Sequence, residues 1–577
     1  MKFARLLPLL AFLLLATVGF SQSDYIMLGS RQYDIIDRLQ IELRTDSILN
    51  FSDVRPYSRK VITERFEYIN QLAAEGKITI SKADKYNIDL LLKDNFEYTK
   101  GFDLKDSILS LQDVFSKPVL THPPYIGAKK GDFSFYATWY IDYTRGKDNT
   151  SSNSLINNLR GIAIRGNINK NIGYYSYISE HQETDPTYVN QYVQKFAAVP
   201  GEGFFNPFKE NGYDLLNARG GIMFKATKGI DMQFAYDKIF IGDGFRSLIM
   251  SDFSNSQLFL KINTRLWKFN YHILYSQLTA THPLSGGSVY SGNYDYPKKY
   301  MAFHQIDVQA NKWLNIGAFE SVMFGRQNGF DLSYLNPIIF YRAVERQNGS
   351  PDKVMIGLNI KANPFKNTQL YSQIIVNEFS FQDLKHYGKG SFVNKQGLQL
   401  GGKMIDFLGV KNLDIQAEMN IVRPFVYSHY DSVGSYSNYN QPLAHPLGAN
   451  FREYIGLIKY QPLNKLHLQV KLIYYKQGLD SAGYNFGSNI FRYYSVGRPP
   501  TSATNSSPRS EGFFIGSGIL AKCFLANISA SYEILPFLFL DVTTITRKYS
   551  QENAPDFNTN IFNVGIRLNA QKREFDF

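Results

Sequence analysis

The sequence has very little cysteine and no long apolar run beyond its first twenty residues. Its 577 residues include a single cysteine, Cys523, which excludes an intramolecular disulfide. Cys523 lies in an apolar run, and we expect a buried or lipid-facing side chain there. No later segment reaches the roughly 18 consecutive apolar residues that a membrane helix needs. The chain is therefore neither a disulfide scaffold nor a helical membrane protein.

Motifs of common enzymes are also missing from the sequence. The phosphate-binding pattern GxxxxGK[ST], the zinc-binding pattern HExxH and the nucleophile pattern GxSxG do not occur. The many acidic residues leave a carboxylate pair for glycoside hydrolysis open, but no feature selects one. The sequence therefore predicts no enzyme, no catalytic residue, no metal ligand and no cofactor.

The N-terminus has the pattern of a secretory signal. Lys2 and Arg5 precede the apolar stretch 6–18, and small residues follow up to Ser21. This pattern predicts a signal peptide over 1–21 that is cleaved after Ser21. The formal charge of +12 would then fall to +10 with the loss of Lys2 and Arg5. Such an excess favours anionic partners, although ordinary loop charge explains it equally well.

The main positive signal is alternation of apolar and polar side chains in segments of about ten residues. The clearest segment is 466–475, and 413–420 repeats its pattern. In the first, one face carries Leu466, Leu468, Val470, Leu472 and Tyr474, and the other carries His467, Gln469 and Lys471. The pattern recurs from about residue 132 to the C-terminus. With 40 tyrosines and 44 phenylalanines to form interfacial girdles, it is typical of a transmembrane β-barrel.

Short turns and long loops alternate between these segments. Turn residues occur near 169–171, 227–229, 264–266, 311–313, 364–366, 408–410, 462–464 and 535–536. The long loops are predicted at about 181–217, 240–255, 281–299, 325–352, 380–395, 427–449 and 478–511. Eight hairpins with one strand at each end predict an all-β barrel of about 18 antiparallel strands over 119–577, with long extracellular loops. The last strand is expected at 561–569, and the terminal Phe577 matches a common barrel-insertion signal.

Residues 22–118 have a different pattern and are predicted to form a small helical periplasmic domain. Apolar residues recur at helical spacing over 59–75, and Ser81 begins a capping box for a second helix that ends near residue 92. The segment 33–43 is compatible with a strand or a short helix. The domain is either a linker or a docking site for periplasmic partner proteins.

Two sets of candidate residues follow from this arrangement. The inward positions of the predicted strands carry the lumen-lining residues Asp142, Asp237, Asp414, Glu418, His467 and Lys471. The outer loops carry Tyr290, Tyr294, Tyr436 and Tyr439, whose flat rings suit sugars. The alternative for any of these tyrosines is a place in the aromatic girdle or in loop packing.

One outer loop, 334–349, has helical periodicity with Pro337 at a start position. We expect a helix folded into the barrel mouth, with another strand as the alternative. Arg342 and Arg346 would then face the lumen and hold an acidic glycan by bidentate contacts. Alternatively, they pair with lumen acids and only stabilise a plug.

The segments 55–59 and 336–342, together with the helical region and about eighteen strands, resemble the capsule-assembly Wzi family of outer-membrane barrels. The resemblance implies an outer-membrane protein that binds capsular or exopolysaccharide and helps attach or assemble it at the cell surface, without catalysis or cofactor. Its expected partners are this polysaccharide, lipopolysaccharide and outer-membrane lipids, but no nucleic acid. Some relatives are associated with gliding motility or surface-protein secretion, which is the first alternative. A diffusion channel is the second.

Overall fold

The computed structural model describes residues 23–51, 53–100, 126–209, 211–280, 296–326, 329–349, 352–378, 387–431, 433–481 and 483–577. The predicted signal peptide lies outside these residues. So do Tyr290 and Tyr294, two of the four tyrosines predicted to contact glycan.

Eighteen antiparallel strands form a closed barrel, which confirms the predicted fold class. The strands are β1 Phe133–Asp148, β2 Ser154–Asn169, β3 Ile172–Thr184, β4 Gly212–Thr227, β5 Ile230–Asp237, β6 Gln257–Leu266, β7 Phe269–Thr279, β8 Lys298–Asn311, β9 Leu314–Phe324, β10 Lys353–Phe365, β11 Thr368–Glu378, β12 Lys395–Met404, β13 Leu413–Val422, β14 Phe451–Leu463, β15 Leu466–Leu479, β16 Ile519–Leu535, β17 Leu538–Gln551 and β18 Phe557–Leu568. The barrel closes where β18 pairs with β1, with Arg567 opposite Asp142. Two short strands, Ile126–Lys130 and Asn206–Phe208, pair antiparallel with the first residues of β1 and β4.

The outer surface of the barrel is apolar. On β15, Leu468, Leu472 and Tyr474 are exposed on the outside, whereas Lys471 between them is fully buried inside. A closed barrel satisfies all its backbone hydrogen bonds, and an apolar outer belt suits lipid. The chain is therefore an outer-membrane β-barrel. Cys523 on β16 is buried in an apolar cluster.

The predicted short turns lie at one end of the barrel and the long loops lie at the other. Four of the short turns contain non-glycine residues with positive φ, at Trp267, Asn367, Leu408 and Phe537, a conformation that tight turns often require. The first long loop is shorter than predicted, because β3 continues to Thr184 and β4 begins at Gly212. This loop contains the helix Thr187–Phe196.

The N-terminal segment, residues 23–100, contains three helices, α1 Gln32–Glu42, α2 Arg59–Ala74 and α3 Lys82–Asp94. The ambiguous segment 33–43 is thus helical, and α3 begins with the predicted capping box of Ser81 and Asp84. No helix in the described part of the chain is long and apolar enough to cross a membrane.

These helices close the short-turn end of the barrel. Arg44 donates hydrogen bonds to the backbone carbonyls of Asn363 and Pro364 in the β10–β11 turn region. Asn50 donates to the carbonyl of Lys312 in the β8–β9 turn. These contacts fasten the segment to turns along the rim of the barrel.

The long-loop end is also filled. The loops 238–256 and 423–450 fold into the barrel, and their apolar side chains pack against inward-facing Phe259, Met301 and Phe303. The prediction of a polar lumen is therefore wrong in this half of the barrel, because these strand residues contact loop side chains rather than water. The last residues, 569–577, turn back from the short-turn end into the interior, so that Phe577 lies against Tyr188 rather than at the end of a strand.

Candidate functional site

The lumen-facing residues near the short turns bind the N-terminal segment. The carboxylate of Asp414 accepts a hydrogen bond from Arg38 of α1, which also pairs with Asp84 and Asp406. His467 lies 2.8 Å from a guanidinium nitrogen of Arg31. Asp414 and His467 thus hold the N-terminal segment in the barrel and line no open pore.

The lumen-facing residues in the middle of the barrel bind an inserted loop and the C-terminal tail. Glu418 accepts hydrogen bonds from the backbone N–H groups of Phe245 (2.7 Å) and Arg246 (3.1 Å) in the loop 238–256. Lys471 Nζ lies 2.6 Å from Glu574 and 2.8 Å from Asp576 in the tail. Burial raises the pKa of Asp576, but Arg246 and Lys471 outweigh this effect and hold it well below its usual range.

Asp142 and Asp237 are buried and bind other side chains of the barrel wall. Asp142 accepts hydrogen bonds from Thr144 and Asn157, and Asp237 accepts one from Tyr175. Asp142 lines a polar internal cavity of about 480 Å³, which also borders the N-terminal segment and the C-terminal tail. Four of the six lumen residues, Asp414, Glu418, His467 and Lys471, therefore bind the segments that fill the interior, whereas Asp142 and Asp237 bind the wall.

The outer loop 325–349 contains a helix, α4, at Tyr341–Gln347, but this helix lies outside the barrel. Glu320 of β9 faces outward, and its carboxylate accepts hydrogen bonds from the backbone N–H groups of Tyr341 and Arg342, both at 2.8 Å. The prediction that this helix folds into the lumen is wrong, because Glu320 binds its first turn on the outer face. Pro337 precedes the helix, and its carbonyl accepts a hydrogen bond from Tyr271.

Arg342 and Arg346 are consequently not lumen cations. Both are exposed on the outer side of the barrel, and Arg342 pairs with Glu345 one turn along the helix, at 2.8 Å. The lumen acids Asp237 and Glu418 bind other groups, so neither alternative for these arginines describes their position. Leu332, Ile338 and Phe340 of the same loop are exposed on this side.

Tyr436 is fully buried and does not offer a free ring face. It packs against Tyr427 with ring centroids 5.7 Å apart, and its hydroxyl donates to the carbonyl of Ile249. This burial contradicts its predicted contact with sugar. Tyr439 is half-buried at the barrel rim, where the centroid of its ring lies 5.3 Å from that of Phe204.

A cluster that the sequence did not predict lies among the outer loops. We call it the aromatic–arginine patch, and it consists of Phe392, Tyr430, Tyr494, Arg498, Arg509 and Phe513. The Arg498 guanidinium carbon lies 3.7 Å from the ring centroid of Phe392, and that of Arg509 lies 4.7 Å from Phe513. Arg498 also donates a hydrogen bond to the carbonyl of Arg509 at 3.0 Å, which joins the two.

Neither Arg498 nor Arg509 has a carboxylate partner among the described residues, and the Nε atom of each is buried without a hydrogen-bond acceptor. Burial lowers the pKa of both guanidinium groups. In contrast, nearby Arg492 pairs with Asp480 at 2.9 Å. Half-buried cations that rest on rings and lack counter-charges are suited to an anionic ligand.

The patch was missed because it combines three separate loops, 387–394, 423–450 and 480–518. The usable signal was the dense run Phe491-Arg492-Tyr493-Tyr494 followed by Arg498. Several outer loops are rich in aromatic residues, so this feature alone does not identify a site. The combination of aromatic residues with nearby arginines distinguishes the loop 480–518.

Comparison with solved structures supports the fold. The structure of Wzi, an outer-membrane carbohydrate-binding β-barrel involved in group 1 capsule assembly in Escherichia coli, matches with a TM-score of 0.51 at 12% identity, over 96% of this chain and all of that one. The Pseudomonas aeruginosa protein OprD matches with a TM-score of 0.40 at 9% identity, over 76% of this chain and 96% of that one. P. aeruginosa OccK8 (OprE) matches with a TM-score of 0.37 at 11% identity, over 76% and 98%. At these identities, the similarity to Wzi establishes the fold and not the activity.

No protein-family model matches the chain, and no curated protein sequence matches it.

Proposed function

We propose that this protein binds an acidic capsular polysaccharide or exopolysaccharide at the cell surface and helps to attach or assemble it there. The observation that carries the proposal is the aromatic–arginine patch, in which Arg498 and Arg509 rest on aromatic rings without carboxylate partners in the described structure. The function is non-catalytic and requires no cofactor.

The chemistry of the patch suits an acidic glycan. A guanidinium binds a carboxylate through two parallel hydrogen bonds, which lysine cannot do. The exposed ring of Tyr430 offers an apolar face for the C–H side of a sugar. Tyr493 and Phe514, both exposed on the same loop as Arg498, extend the available aromatic surface.

Two further observations support this proposal over a diffusion channel. The interior is filled from both ends by the N-terminal segment, the inserted loops and the tail. The structurally similar Wzi is a carbohydrate-binding barrel of capsule assembly. Lipopolysaccharide and outer-membrane lipids would surround the barrel. The helical region within 22–118 is proposed to dock periplasmic proteins through exposed Val61 and Tyr68 of α2.

Binding to defined polysaccharides tests the proposal directly. Full-length protein in detergent should bind hyaluronan or alginate, which carry carboxylates, and should not bind neutral dextran. The double variant Arg498→Ala/Arg509→Ala should lose this binding at an unchanged melting temperature. Arg492→Ala is the matched control, because Arg492 lies in the same loop but is neutralised by Asp480. Equal binding by wild type and double variant would contradict the proposal.

A deletion strain distinguishes the cellular alternatives. Loss of the protein should release polysaccharide into the medium while its synthesis continues. Normal retention with altered gliding or missing surface adhesins would favour the role in motility or secretion instead. Complementation with the Arg498→Ala/Arg509→Ala variant should fail to restore retention, and complementation with Arg492→Ala should restore it.

A further inference from the structure

Asp53 belongs to the N-terminal segment, and its buried carboxylate contacts the inner wall of the barrel. The backbone of Val54–Arg55 pairs as a short strand with Phe240–Ile241 of the inserted loop, and the N–H of Gly242 donates to the carbonyl of Asp53 at 2.8 Å. This pairing fixes the position of Asp53, whose side chain is fully buried.

On the wall, Asp53 meets two side chains that can bind a metal ion. His272 belongs to β7 and Asp307 to the neighbouring β8, and both are buried. His272 Nε2 lies 3.4 Å from Asp307 Oδ2. One potential ligand atom from each of Asp53, His272 and Asp307 lies within 4.8 Å of the others.

The hydrogen bonds around this cluster leave several acceptors unused. Gln305 Nε2 donates to Asp53 Oδ2 at 2.6 Å and to Asp307 Oδ1 at 2.8 Å, and Asn359 donates to Asp53 Oδ2 at 2.9 Å. Asp53 Oδ1 and Asp307 Oδ2 have no hydrogen-bond partner among the described residues. The side-chain oxygens of Asn270 and Gln305 and Nδ1 of His272 also have no partner there, whereas His272 Nε2 lies 2.9 Å from Asn270 Nδ2.

The cluster contains more acidic than basic side chains. Two aspartates are fully buried side by side, and Lys361, which acts on Asp53 electrostatically, is itself paired with Asp243 at 2.9 Å. Buried carboxylate oxygens without donors are costly, and polar groups of this kind are normally satisfied by a partner or an ion. A bound divalent cation would satisfy the free oxygens and the excess negative charge together.

We propose that Asp53, His272 and Asp307 form a binding site for a divalent transition-metal ion that fastens the N-terminal segment to the barrel wall. An imidazole nitrogen with two carboxylates is a ligand set for Zn²⁺, and Mn²⁺ accepts the same donors. Ca²⁺ and Mg²⁺ fit less well, because they take oxygen ligands. Since one ligand comes from the N-terminal segment and two come from the wall, the ion links parts of the chain that are far apart in sequence.

Metal analysis of full-length protein, folded in detergent and equilibrated with Zn²⁺ or Mn²⁺ before desalting, tests this site. We expect one tightly retained ion per chain, a lower melting temperature after chelation with EDTA, and recovery on adding Zn²⁺. Asp53→Asn and His272→Gln should each lose the ion and the response to EDTA, while the strand content by circular dichroism stays unchanged.

Glu97→Gln is the matched control. Glu97 also joins the N-terminal segment to the wall, through Arg165 at 2.8 Å, but lies outside the cluster. This variant should melt at a lower temperature and still retain the ion and its response to EDTA. No ion retained by wild type, or an equal amount retained by Asp53→Asn, would overturn the proposal and leave a hydrogen-bonded acid cluster. The outcome is independent of glycan binding, since the cluster lies inside the barrel.

Discussion

Arg246 and Asp576 form an ion pair inside the barrel, with Nη1 2.8 Å from Oδ1, although 330 positions separate them in the sequence. The first belongs to the inserted loop and the second to the C-terminal tail. Arg246 also donates to the backbone carbonyl of Asp576 at 2.6 Å. The pair therefore joins two segments that fill the interior and that no strand pairing connects.

We expect Arg246→Ala to lower stability by about 2 kcal/mol. Breaking an isolated buried pair costs roughly 3–5 kcal/mol, but Lys471 would still pair with Asp576. A double-mutant cycle with Asp576→Asn, measured by urea unfolding in detergent or lipid, gives the coupling between the two residues. Additive effects of the two substitutions would show that the tail does not hold the loop.

Glu42 in α1 should make the stability of the protein dependent on pH. Burial and the neighbouring Asp84 raise the pKa of Glu42 to about 7, above the roughly 4.3 of a free glutamate. Since the folded state favours the protonated form, this contribution to stability is complete below pH 4 or so and is lost as the pH rises through about 7. Melting temperature should therefore fall between about pH 4 and 7 by a component that Glu42→Gln removes. Glu64→Gln, an exposed glutamate on α2, serves as the control and should leave the pH dependence unchanged.

The loop on the outer face should contribute stability only in lipid. Ile338 and Phe340 are 85% and 76% exposed on the outer side of the barrel, where a bilayer that reaches this loop would bury them. Ile338→Ser should cost about 2 kcal/mol of folding free energy in liposomes, the order expected for one buried aliphatic side chain. Val496→Ser, at a similarly exposed position in the outer loop 480–518, should have little effect. Equal losses for both variants would place the 325–349 loop in water.

The barrel was predictable from sequence because each strand carries its own signal. Alternation in 466–475 and 413–420, with turn residues between strands, determines both the strand faces and the approximate count. The capping box of Ser81 and Asp84 is equally local. Such features depend on neighbours within a few residues, which the sequence displays directly.

The positions of the loops were not predictable in this way. Whether the 334–349 helix lies inside or outside depends on Glu320, an outward carboxylate on a strand whose binding of the helix start has no sequence signature. Tyr436 is buried because Tyr427 and the carbonyl of Ile249 meet it there. The aromatic–arginine patch likewise requires three loops to converge. These contacts are long-range, and a single sequence does not encode them in any short pattern.

Arg38 should be the residue that keeps the short-turn end closed. Its guanidinium binds Asp84 of α3 and also Asp406 and Asp414 of the barrel, so Arg38→Ala would leave three acidic side chains without their shared cation. Removing one partner of a buried network costs roughly 3–5 kcal/mol, and here the cost falls on the contact between plug and wall. Wild type should be nearly silent in planar bilayers, and Arg38→Ala should show intermittent openings with an intact barrel by heat-modified migration. Lys85→Ala, which breaks only the exposed pair with Asp89, should stay silent. Stable conductance of the wild type would contradict a filled lumen. Silence of Arg38→Ala would show that the other contacts of the N-terminal segment, or the inserted loops and the tail, keep the barrel closed without Arg38.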